Sequence, residues 1–158
     1  NKIAAIKSLG SVKYRKATDS LNSIVSSNDS DEVRLAAIIS LGQIENKSSV
    51  PYLVKALDDE EANIRWDAAI ALAKMGDSSG TIIINSLLDR AYYKNFKEID
   101  SWETEKAILV AIQVSSQLGG QEFKSNLLIL AKEDPNMEIR NAALKTLESV
   151  YNMELSNG

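Results

Sequence analysis

Residues 33–44 read Val33-Arg34-Leu35-Ala36-Ala37-Ile38-Ile39-Ser40-Leu41-Gly42-Gln43-Ile44, and the same pattern returns twice: Ile64-Arg65 with Ala68, Leu72 and Met75, then Ile139-Arg140 with Ala143, Leu147 and Val150. A branched residue followed by Arg, then Ala, Leu and a further apolar residue at steps of three and four, is the spacing of one face of an α-helix. Working outward, Ala5, Ala37, Ala68, Ala111 and Ala143 stand 32, 31, 43 and 32 residues apart. The same offsets align Leu9, Leu41, Leu72, Ser115 and Leu147, and then Val12, Ile44, Met75, Leu118 and Val150. Three columns in one register identify an array of helical repeats, interrupted once by about 12 extra residues.

The pattern predicts first helices at about 2–10, 33–44, 64–75, 102–118 and 137–152, with small Ala residues where neighbouring helices approach. A second helix follows each of the first four, through the columns Leu21, Leu53, Ile84, Leu127 and Val25, Leu57, Leu88, Ala131. Gly10, Gly42, Gly76 and Gly119-Gly120 suit helix C-termini, and Ser48-Ser49 before Pro51 suits a helix start. The run Thr81-Ile82-Ile83-Ile84 is β-branched, yet its register assigns it to a buried second helix. The fold class is therefore all-α, one repeat domain over 1–158 with about four and a half helical hairpins and an insertion at about 91–102. The first helical pattern already includes Asn1, and the tail from Met153 to Gly158 is too short for a second helix in the last unit. Both ends suggest a piece of a longer array, with end-to-end contact through the incomplete terminal repeats as one way to cover the apolar faces.

Composition narrows the function. The chain has 158 residues, 44% of them hydrophobic, enough to bury a core without staples. It carries 18 basic and 22 acidic residues, a net charge of −4, which argues against nucleic acid as a partner. Lys2, Lys7, Lys13, Arg15 and Lys16 form a local exception with no acid in the first 18 residues, read first as a solvated face. No cysteine occurs, so disulfides and thiolate chemistry are excluded and the compartment stays open between cytoplasm and export. No apolar run is long enough to insert in a membrane.

Zero histidines removes the commonest general base and metal ligand, and neither a phosphate loop nor a Ser-x-x-Lys pair is present. Asp58, Asp59, Glu60 and Glu61 are four consecutive acids, but consecutive residues on a turn point in different directions. No catalytic residue, metal or cofactor is assigned.

These residues resemble the HEAT repeats, in the short bacterial variety also called phycobilisome-lyase-like repeats. The segment Asp134-Pro135-Asn136-Met137-Glu138-Ile139-Arg140 with Ala143 and Leu147 looks like that family's linker and first helix, and Val33-Arg34 through Gly42 and Ile64-Arg65 through Leu72 match nearly as well. The resemblance implies a right-handed α-solenoid, armadillo-like in architecture, with first helices on the convex layer and second helices lining the concave one. It also implies that Arg34, Arg65 and Arg140 bond with linker carboxylates such as Asp59 and Asp134. Asn28 replaces the acid in the second linker, which weakens that contact there. Such a surface suits a protein–protein scaffold or adaptor. The alternatives are an accessory or lyase-like protein of a chromophore-attachment or other enzyme system and, more distantly, a DNA glycosylase of similar architecture, against which the acidic charge speaks.

Two surfaces are candidates for the protein or peptide partner. The insertion holds Tyr92, Tyr93, Phe96 and Trp102, four of the nine aromatics. Exposed aromatics are good interface anchors because they bury large area at low entropy cost. The competing reading has Tyr92, Tyr93 and Phe96 prolong the preceding helix and Trp102 pack beneath the loop, with Asp100 and Glu103 spaced as a capping box. The second surface is the concave lining, with Tyr52, Lys55, Asn85, Asp89 and Asn126 facing solvent.

Overall fold

A computed structural model describes residues 1–155. The chain forms two compact units, 1–83 and 84 onward.

In the first unit α1 (Lys2–Ser11), α3 (Asp31–Ile44) and α5 (Ala62–Lys74) are the first helices of successive hairpins, and α2 (Thr18–Val25) and α4 (Val50–Ala56) the second. Three of these starts have a local cause. Asn1 accepts from the Ile3 amide at 2.9 Å, Ser30 caps α3 ahead of Asp31 and Glu32, and Pro51 sits in the first turn of α4 where its missing N–H costs nothing. α1 packs on α3 and α3 on α5, while α2 packs on α3 and α4 on α5. Much of the aligned columns lies in the core, with Ala37, Leu41, Leu53, Ala68 and Leu72 fully buried, but Ala5 and Val12 of the first unit are exposed.

Gly10 and Gly42, expected at helix C-termini, lie in the last turns of α1 and α3 without ending them, the caps being Val12 and Glu45. They are there for close approach. A Cβ on Gly10 would lie 2.7 Å from the Ser40 Cα, and one on Gly42 3.1 Å from the Ala71 Cβ. Each glycine lets its helix settle against the first helix of the next hairpin, and Ser40 donates from Oγ to the Ile6 carbonyl across the first contact at 2.9 Å.

α6 (Thr81–Leu87) spans the boundary of the two units; its β-branched run is helical, as the register requires. In the second unit a 3-10 turn (Arg90–Asn95) is followed by α7 (Ser101–Leu118), α8 (Lys124–Glu133) and α9 (Met137–Tyr151). α8 and α7 both pack on α9, burying Ile108, Ala111, Phe123, Leu127, Ala143 and Leu147. Ser115, in the leucine column, is buried with its hydroxyl donated to the Ile112 carbonyl at 2.8 Å. Gly119, at φ 67, ends α7. No helix covers Met153–Leu155, and the remainder of the tail lies outside the described residues. No helix among the described residues is long and apolar enough to cross a membrane.

Candidate functional site

Basic side chains hold the linkers at Asp29, Asp59 and Asp134. Arg34, on α3, forks onto Asp59 with contacts of 2.7 and 3.3 Å and also reaches Asp31 at 2.9 Å. The guanidinium holds the Asp59 carboxyl below its usual pKa, and the two carboxylates push that of Arg34 up. Arg65 donates to the main-chain carbonyls of Asp59 and Glu60 at 2.7 and 2.8 Å, and Arg140 to those of Asp134 and Pro135 at 2.6 and 3.1 Å. The recurrent arginines thus divide: Arg34 takes a linker's carboxylate, while Arg65 and Arg140 close the carbonyls of the linker just before them. The expectation that all three bond to carboxylates holds for Arg34 only.

At position 108, where the repeat would carry Arg, stands Ile. Its role at Asp134 falls to Arg90 of the insertion, which meets that carboxylate at 2.7 and 2.9 Å although the two lie 44 residues apart. The linker in which Asn28 replaces an acid, expected to be weak, is held one residue later, with both Asp29 oxygens 3.0 Å from Lys2 Nζ.

The insertion is neither a prolonged helix nor a loose loop. Asp89 accepts from the Ala91 amide at 2.9 Å and starts the 3-10 turn. Tyr93 is turned inward, 5% exposed, with its hydroxyl donated to the Leu87 carbonyl at 2.7 Å; burial pushes its pKa up. Tyr92 is half-buried and edge-on to Tyr93 and Phe96, at 5.8 and 5.2 Å between ring centres. The structure therefore makes a packed cluster of Tyr92, Tyr93 and Phe96. Trp102 does not pack beneath the loop: it is 66% exposed on the first turn of α7. That turn is fixed by the capping box, Asp100 accepting from the Glu103 amide at 2.8 Å and Glu103 from the Asp100 amide at 3.0 Å. Lys106 Nζ lies 5.1 Å from the Trp102 ring centre, one turn along the helix.

The second-helix candidates fall into two grooves, one in each unit. Tyr52 and Lys55 line a space of about 600 Å³ between the C-terminal ends of α2 and α4, closed by Asp58–Glu61 and with Arg34 and Asp59 among its walls. Asp89 and Asn126 line a smaller one of about 240 Å³ beside α8, together with the Arg90 and Asp134 pair and the exposed Ile129. Asn85 does not face solvent freely, because its carbonyl and side-chain oxygens accept from Asn126 at 3.0 and 3.1 Å. The matching construction, a groove at the ends of second helices bordered by an Arg–Asp pair, could not be read from either unit's sequence alone.

The model for HEAT repeats matches residues 20–98, half of the chain. No curated protein matches. Among solved structures, the chain is similar to one in the complex of CpcE and CpcF of phycocyanin lyase from Nostoc sp. PCC7120, with a TM-score of 0.71 at 20% identity; the match covers 96% of this chain and 59% of that one. The likeness shows the shared all-α solenoid fold. With the repeat columns, the linker arginines and the family match together, the chain belongs to the HEAT repeats.

Proposed function

We propose that this protein is an interaction scaffold, an adaptor that binds a protein partner and performs no reaction of its own. The observation that carries this reading is Trp102. An indole two-thirds exposed, on a helical turn locked by a reciprocal capping box and flanked by Lys106, is a rigid anchor that needs little ordering when it binds. Tyr92, Tyr93 and Phe96 support the reading differently from the way their composition suggests: they hold the insertion in place. Affinity capture from lysate of the source organism tests the proposal by comparing the wild type with Trp102→Ala. A single partner lost with the indole supports it; the same proteins captured by both refutes Trp102 as the anchor.

A second reading is favoured by the likeness to the phycocyanin lyase complex, namely an accessory role in attaching a chromophore. Mixing the protein with a free linear tetrapyrrole tests it directly. A shifted visible absorption spectrum would support it, and an unchanged spectrum at saturating pigment would sink it.

A further inference from the structure

The helices of the first unit run antiparallel, so its two kinds of turn lie at opposite edges. Lys2, at the start of α1, meets Asp29 after α2, and Arg34, at the start of α3, meets Asp59 after α4; these contacts place the linkers on one edge. The turns within hairpins lie on the other, where Asn46 donates to Thr18 Oγ1 at 3.3 Å. Acids concentrate on the linker edge, and the first turn of the opposite edge is basic, although the later turns there hold Glu45 and Asp77. The linker edge carries Asp29, Asp31, Glu32 and the run Asp58–Glu61. Lys2 and Arg34 engage Asp29, Asp31 and Asp59, leaving Asp58, Glu60 and Glu61 without an ion pair among the described residues, around the groove that Tyr52 lines. The opposite edge carries Lys13, Arg15 and Lys16 with no acid between residues 11 and 18, and none of the three forms an ion pair among the described residues. Beside them project Val12, 72% exposed, and Tyr14, 48% exposed.

We propose that the two edges dock on one another between copies of this chain: the basic turn 12–16 of one copy enters the acidic groove of a second. The groove's volume of about 600 Å³ has room for several side chains. Its walls offer carboxylates for Lys13, Arg15 and Lys16 and an exposed aromatic, Tyr52, against which Tyr14 or a guanidinium can lie. A lysine and arginine turn that also exposes Val12 and Tyr14 has both the charge and the apolar surface that such a groove takes up. The contact is heterologous, each copy offering a different edge, so association continues beyond a pair unless it closes into a ring.

Sedimentation velocity over a concentration series, at about 0.05 M and about 0.5 M salt, tests this because the screening length of surface charges falls between them from about 14 Å to about 4 Å. The wild type is expected to grow in mass with concentration at low salt and to return to monomer at high salt. Arg15→Glu with Lys16→Glu, and separately Glu60→Lys with Glu61→Lys, should each stay monomeric at low salt. An equimolar mixture of the two variants should associate again, since it restores opposite charges at every contact. None of these four side chains makes a hydrogen bond or ion pair among the described residues, and circular dichroism verifies that both variants keep their helicity. A wild type monomeric at every concentration at low salt, association indifferent to salt or to both pairs of substitutions, or a mixture that stays monomeric would overturn the proposal.

Discussion

Arg34 and Asp59 are 25 residues apart in sequence and form a two-pronged ion pair across a hairpin, each side chain 16% exposed. Arg34→Ala is expected to lower unfolding stability by about 2 kcal/mol, because it leaves a largely buried carboxylate short of its charged donors. Arg34→Lys should recover less than half of that loss, as an ammonium keeps the charge but not the fork. Urea unfolding followed by circular dichroism measures both.

The pH dependence of the same pair follows from the lowered pKa of Asp59. Its contribution is present above the ordinary carboxylate value of 3.8 and is lost as pH falls through the still lower folded value. Asp59→Asn should therefore be less stable than the wild type at pH 6, with the gap narrowing below about pH 4. Urea midpoints at a series of pH values test this; a gap that widens on acidification would contradict the assigned direction.

Arg90→Ala should cost more than Arg34→Ala, about 3 kcal/mol, because the Asp134 side chain it abandons is only 1% exposed. Asp134 also accepts from the Asn136 amide at 2.9 Å just before α9. Amide hydrogen exchange should accordingly quicken first around residues 133–140 in this variant.

Gly10→Ala tests close approach against backbone conformation. At Gly10 the added methyl meets the Ser40 backbone, and a loss of about 2 kcal/mol is expected from forcing α1 off α3. At Gly76, with φ 76 and open space around it, alanine should cost only about 1 kcal/mol of backbone strain. Equal losses at the two positions would remove the packing explanation.

The two tryptophans provide a check in solution. Trp66 is 7% exposed and Trp102 66%. Iodide should quench the emission of the wild type in two populations, and Trp102→Phe should abolish the accessible one.

Much of this fold is legible in the sequence because repetition multiplies weak local signals. One Ala or Leu says little, but columns at Ala37, Ala68, Ala111 and Ala143 locate the core, and Asp100 with Glu103 marks the start of α7 to the residue. Contacts made by residues outside the columns stay hidden. Arg90 replaces an arginine absent at Ile108, and only folding brings it to Asp134. Asp29 takes over from Asn28 by a shift of one residue in the turn. Gly10 and Gly42 mislead because a glycine near a helix end serves equally well as a stop or as a seat for a neighbour, and only the packing of α1 and α3 decides between them. For the candidate surface, four clustered aromatics draw attention to the insertion, but composition cannot tell that Tyr93 turns inward while Trp102 stands out.

The most direct test of the adaptor reading is photo-crosslinking with benzoylphenylalanine placed at position 102 and, in a parallel protein, at position 137. Met137 is as exposed as Trp102, at 66%, so accessibility alone would label from both. A discrete crosslinked partner from position 102 and none from position 137 is the predicted result. The same products from both positions, or none from either, would contradict a partner anchored on Trp102.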